Sequence, residues 1–274
     1  MVGSRRILRR GLVAFLVAEL VVAAVLIGLS HNRRPAESVI GDKSVRLVNL
    51  AGPSGEWLLG RVLGQMPHAI NAVETFWGRD WTRQIVVIAT DSSAEFSAQA
   101  NLDTHQDWSD IAAVSVADSV DVNARRAQGQ RIVLAPGAGG MSESALRIVM
   151  THELFHLAAR TDTALDAPQW LTEGVADFVA RPSTALPPDA AANLGLPNDT
   201  ELAQAGSARS AGYDRAWWFA RFIAADYGTD GLRRLYRAAC KADHRDFAGA
   251  VTEALGTDIT TVHSGWIRWL HGTG

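Results

Sequence analysis

The sequence predicts an α+β protein that is predominantly helical. It should have a small N-terminal β-sheet, a helical C-terminal part, and one transmembrane helix ahead of both. Three observations carry this. Short apolar, β-branched runs fall between residues 83 and 136. After residue 165, apolar residues recur almost only at helical spacing. Near the N-terminus stands a twenty-residue apolar segment, residues 11–30, broken only by Glu19.

That segment comes first in chain order. Twenty helical residues reach roughly 30 Å, the thickness of a bilayer core. Arg5, Arg6, Arg9 and Arg10 precede it, and Arg33 and Arg34 follow. The excess on the N-terminal side predicts a cytoplasmic residue 1–10 segment and export of everything after residue 30. A cleavable signal peptide is the competing reading. The run is long for one and shows no clean small-x-small site before His31, which favours an uncleaved anchor. Glu19 is either a tolerated single acid or faces a partner helix.

Residues 31–44 are polar, with Pro35 and Gly41, and read as a linker. Residues 45–160 read as a sheet-containing part and 161–274 as a helical one. Leu58, Val62, Met66, Ile70, Val73 and Trp77 have helical spacing over residues 56–78, with Pro67 expected to kink or split the helix and Gly78 to stop it. Residues 83–90 read as a buried strand, and Asp91-Ser-Ser-Ala-Glu95 as a helix start with Asp or Ser as its cap. Residues 111–118 and 131–136 read as two more strands, and Gly137–Gly140 as a turn. Ser142 then caps a helix that runs to about Arg160. Pro168 marks the next helix, which carries Trp170 to Ala180 and stops before Pro182. Residues 182–210, rich in Pro, Ala, Asn, Ser and Gly, read as a long loop or lid. Helices are expected at 213–225 with a stop near Gly228, then at 230–240, 246–255 and 259–270, with Gly256 between the last two.

Composition narrows the chemistry. The net charge is −3 and the Arg residues are scattered outside the terminal cluster, so nothing points to a nucleic-acid partner. One cysteine, Cys240, excludes an intrachain disulfide and a cysteine-based metal site. Core packing must hold the fold, and five of the nine Trp residues (Trp170, Trp217, Trp218, Trp266, Trp269) follow residue 160.

The informative stretch is His152-Glu-Leu-Phe-His156 in an otherwise apolar helix. Four residues apart, the two imidazoles share a face one turn from each other and can grip one zinc ion. Glu153 beside them can accept a proton from a water that the metal activates. Two bulky polar rings and a carboxylate in such a helix need partners, which argues against core histidines. A catalytic zinc takes three protein ligands, and Glu173, in Trp170-Leu-Thr-Glu-Gly-Val-Ala-Asp177, is the candidate third. Gly174 beside it lets the backbone approach closely. Glu173 read instead as an acid favoured by the helix dipole is the alternative. Asp177 shares the face of Glu173 and suits orienting a metal-bound histidine through its other nitrogen, or else is a surface acid.

These two motifs resemble the gluzincin clan of zinc metallopeptidases, the thermolysin and aminopeptidase N type with a peptidase MA-like domain. In that clan a second helix supplies Glu as the third ligand. The Tyr213–Gly228 stretch and Trp266-Ile-Arg-Trp-Leu270 are similar to the helical half of small bacterial membrane-anchored members. The likeness covers roughly residues 83–270, with a His156-to-Glu173 spacing slightly shorter than in the best-known members.

The resemblance implies a zincin-like fold and a Zn2+-dependent peptidase acting on peptide or protein outside the membrane, with His152, His156 and Glu173 as ligands and Glu153 as general base. It also implies a Tyr or His from the helical half that stabilises the oxyanion. Tyr213 is the candidate, with Tyr227 and His244 behind it; Tyr213 as a packing aromatic is the alternative. It further suggests that the strand at 111–118 is the sheet edge on which an extended substrate pairs. Two other readings use the same residues, an inactive zinc-binding scaffold and a zinc hydrolase of a non-peptide substrate.

Overall fold

The computed structural model describes residues 36–103, 108 and 111–272. The anchor expected at 11–30 lies outside these. Among the described residues no helix is long and apolar enough to cross a membrane.

Five strands make a mixed sheet in the order β1-β2-β3-β7-β4: β1 (Ala36–Ile40), β2 (Lys43–Asn49), β3 (Gln84–Ala89), β7 (Arg131–Leu134) and β4 (Ala113–Val116). β2, β3 and β7 run parallel, and β4 is antiparallel to β7 at the edge. A separate hairpin, β5 (Ser119–Asp121) with β6 (Arg126–Gln128), bridges β4 and β7 in sequence and has no counterpart in the expected elements.

The linker reading of 31–44 needs correcting from residue 36 on, where β1 and the start of β2 lie. The reason is Lys43. A lysine there reads as solvated linker, yet it is fully buried, 3.7 Å over the Trp81 ring. Its ammonium donates to the carbonyls of Arg79 and Trp81. Burial lowers its pKa, and Asp42 partly offsets this. Val45 and Leu47 follow at strand spacing with buried side chains, while Arg46 between them is exposed.

Helix α1 (Gly52–Trp77) links β2 to β3 and is about 39 Å long. It stops at Gly78, whose φ of 95° suits glycine. It is continuous through Pro67, so it is not split there. Pro67 is exposed with Gly64 on the turn before it, so the carbonyl it deprives of a partner can be solvated. Met66, Ala69 and Ile70 on the other face are buried and anchor the helix on either side of Pro67. α2 (Ser93–Ala100) is capped by Ser92, as expected.

After a 3-10 turn at Pro136–Gly140 comes α3 (Glu143–Ala159), capped by Ser142. Its first turn is stitched to α1. Arg61 pairs with Glu143 and donates to the carbonyls of Gly139 and Met141, while Arg147 reaches Gln65. Phe155 packs edge-on against Phe76, Trp77 and Tyr236. α4 (Gln169–Ala180) begins after Pro168 with no cap of its own, and Asp199 accepts from the Trp170 N–H in its place.

The segment expected as a loop or lid holds a 3-10 turn at Ala190–Ala192 and the single-turn α5 (Asp199–Leu202). It is pinned down. The nearly buried Arg215 binds the carbonyls of Asn193 and Gly195 and pairs with Glu201, and Trp266 Nε1 also donates to Gly195. α6 (Gly206–Cys240) breaks at Gly228, where φ is 76° and ψ 160°, so the chain turns where the sequence places a stop. α6 starts earlier than expected, and Tyr213 lies inside it rather than opening it. α7 (Phe247–Leu255) and α8 (Ile259–Leu270) are capped by Asp246 and Asp258.

Trp170, Phe219, Phe222, Phe247 and Trp266 form one aromatic cluster among these helices. Cys240, fully buried, closes α6, and its carbonyl accepts from the Ala164 N–H beyond α3. The sheet-bearing and helical parts share one core and belong to one unit, Ser38–Gly274.

Candidate metal centre

Helical spacing puts His152 and His156 on one face of α3, and that face meets α4. Three acceptor atoms converge there. His152 Nε2 lies 3.0 Å from His156 Nε2 and 3.1 Å from Glu173 Oε2, and His156 Nε2 lies 3.5 Å from the same oxygen. Four-coordinate zinc with bonds of about 2.0–2.1 Å sets its ligands about 3.3 Å apart, so the three edges fit one face of such a tetrahedron. These three residues can hold a metal ion. Two imidazoles and one carboxylate are also the donor set that suits zinc and its neighbours rather than calcium or magnesium.

Asp177 fixes the tautomer. Its Oδ1 is 3.0 Å from His152 Nδ1, so Nδ1–H donates to the carboxylate, and loss of the other proton, from Nε2, would free that lone pair for a metal. Its Oδ2 accepts from Arg181, which also pairs with Asp214 and stacks 3.8 Å over the Trp217 ring. In the metal-free protein burial works against a charged His152, but the hydrogen bonds to Asp177 and Glu173 win and hold its pKa well above the usual value. Burial would raise the Glu173 pKa, yet His156 and His152 pull it far below the usual carboxylate range. Replacing Asp177 by Asn keeps the shape and removes the orienting charge. Metal affinity should fall about 10–100-fold, read by competition with a chromophoric chelator.

Close approach of α4 is made possible by Gly174. A Cβ there would stand 2.4 Å from the backbone oxygen of Ala216 on α6. Glycine is therefore what lets α4 lie flat on α6 with Glu173 turned the other way, towards the histidines.

His152, His156, Glu173, Glu153, Asp177 and Tyr213 all line one cavity of about 870 Å³. Glu153 is nearly buried and lies off the ligand triangle, against the backbone of Ser115 on β4. Burial raises its pKa, and the two histidines partly offset this. Tyr213 reaches the cavity from α6. Burial, then the charges of Glu173 and Asp177, push its phenol pKa up, so it stays a neutral O–H donor.

The two runners-up lie elsewhere. Tyr227 packs on Phe222, and His244 faces Asp166; neither lines the cavity. Nor does any residue from 182 to 210, so the segment read as a lid does not cover the site.

Sequence reasoning missed Arg160 and Tyr236, which both line the cavity. Tyr236 is buried with its hydroxyl 2.9 Å from Thr163 Oγ1, and nothing local in the sequence marks it. Arg160 had a signal, being four residues beyond His156 and so on the same face. The sequence matches no protein-family model and no curated protein.

Proposed function

We propose that this chain is a zinc-dependent metallopeptidase of the gluzincin type, with a zincin-like fold, anchored by residues 11–30 and cutting peptide bonds outside the cytoplasmic membrane. One observation carries the reading: a converging His152, His156 and Glu173 set shares a cavity with a buried carboxylate, Glu153, and a sheet edge, β4.

When bound, zinc supplies Lewis acidity and lowers the pKa of a water molecule. Glu153 accepts the proton of the attacking water and passes it to the leaving amine, and its raised pKa brings it nearer to working pH. Tyr213 donates its O–H to the developing oxyanion. β4 orients an extended substrate by backbone pairing. Ser115 on that edge is already engaged, its carbonyl taken by Arg160 and its amide side by Glu153. Strand alternation leaves Ala113, two residues back, as the pairing position.

The test is metal analysis of the purified protein followed by digestion of a peptide library. The expected result is one zinc per chain and cleavage that stops on chelation and returns with zinc. A protein that binds no zinc ends the proposal. One that binds zinc and cuts nothing is a scaffold or acts on another substrate.

A further inference from the structure

The cavity holds a cation that the proposed reaction does not use. Arg160 follows the last residue of α3, one turn past His156, and lines the same cavity as Glu153 and His156. A guanidinium has five N–H donors. The two on Nη2 go to Ser115, whose carbonyl oxygen lies at 2.6 Å and hydroxyl at 3.0 Å. Nε is buried with no hydrogen-bond partner, and no described group accepts from Nη1.

Nor does any described carboxylate form an ion pair with Arg160. Glu153, which faces it, lies beyond salt-bridge distance. Four other described cleft-lining groups do have such partners: His152 has Asp177 and Glu173, His156 has Glu173, and Asp177 has Arg181. One donor of this guanidinium is buried without a partner and Nη1 is left to the cavity, so it is short of acceptors that an anion would supply. With both Nη2 donors taken by Ser115, a carboxylate would meet it at Nη1 through a charge-assisted hydrogen bond.

We propose that Arg160 is a specificity residue that binds a carboxylate carried by the substrate. This rests on the metallopeptidase reading. The carboxylate is either a free C-terminus or an Asp or Glu side chain.

Peptide binding to the full-length protein, stripped of metal so that nothing is cut, tests this by calorimetry. Two pairs of short peptides are compared, one differing only as C-terminal acid against amide, the other only as internal Glu against Gln. At least one acidic member should bind about 10–100-fold tighter than its neutral twin, and the pair that responds identifies the source. Arg160→Gln should abolish the difference and Arg160→Lys should keep part of it. Equal binding within both pairs, no binding by any peptide, or an Arg160→Gln loss that is equal for acid and neutral forms overturns the proposal, the last by reducing Arg160 to a clamp on Ser115. If Arg160→Gln does not fold, the wild-type pairs and Arg160→Lys decide. The readout needs neither metal nor turnover. A carboxylate preference in a protein that cuts no peptide would remove the peptidase reading and leave the binding site.

Discussion

Glu153→Gln yields a protein that keeps its full metal content and hydrolyses peptides about 10²–10⁴-fold more slowly. The side chain keeps its length and shape and loses its basicity. Metal retention is expected because Glu153 stands outside the group of three ligand atoms. Stability should be unchanged or slightly raised. A buried carboxylate with an elevated pKa is less favourable charged in the folded state than in the unfolded one, so at neutral pH it opposes folding. A neutral amide removes that opposition, the usual relation between an active-site charge and stability. Kinetics, metal analysis and a melting curve on one preparation check all three parts. Wild-type rates, or loss of metal, would refute the role given to Glu153.

The second large effect is expected away from the chemistry. Gly174→Ala should destabilise the protein by about 1–3 kcal/mol and weaken metal binding. Two effects compete. Alanine is the better helix former by up to about 1 kcal/mol, which favours the substitution. Against it, the new Cβ would sit 2.4 Å from the Ala216 oxygen and 2.6 Å from its carbon, and backbone cannot yield there without parting α4 from α6. The clash wins. Parting the helices also carries Glu173 away from the histidines, so metal affinity should drop about tenfold or more, as when a supporting contact is lost. Gly64→Ala is the control. Nothing lies within 4 Å of its Cβ position on the exposed side of α1, so only the propensity gain remains. Thermal melts and chelator competition on both variants decide. Equal behaviour of the two would sink the argument.

What the sequence made legible was whatever a short local pattern encodes. The His152–His156 spacing, the Ser142 cap and the Gly78, Gly228 and Gly256 stops depend on neighbours within a turn or two, and the structure has them. The role of Gly174 in a close approach was also readable, although its partner Ala216 was not. The misses have a common cause, that a residue was judged by its type before its tertiary partner was known. Lys43 looked solvated until Trp81 covered it, and Pro67 looked disruptive until it lay on the water side of a well-packed helix. The segment after Arg181 looked loose until Arg215 and Trp266 held its carbonyls. Arg160 continues the helical face of His152 and His156, but only the folded chain brings it to Ser115 and the cavity.

Cys240 has a consequence for where such a chain can fold. The thiolate is the species that is oxidised or exchanges with disulfides, and burial pushes the Cys240 pKa up so that little of it exists at neutral pH. The sulfur is also closed off from other chains, being fully buried where α6 ends. No pairing has to be made and none can form within the chain, so maturation of the fold requires neither an oxidant nor a disulfide isomerase. The same native state is accessible in a reducing compartment and in an oxidising one.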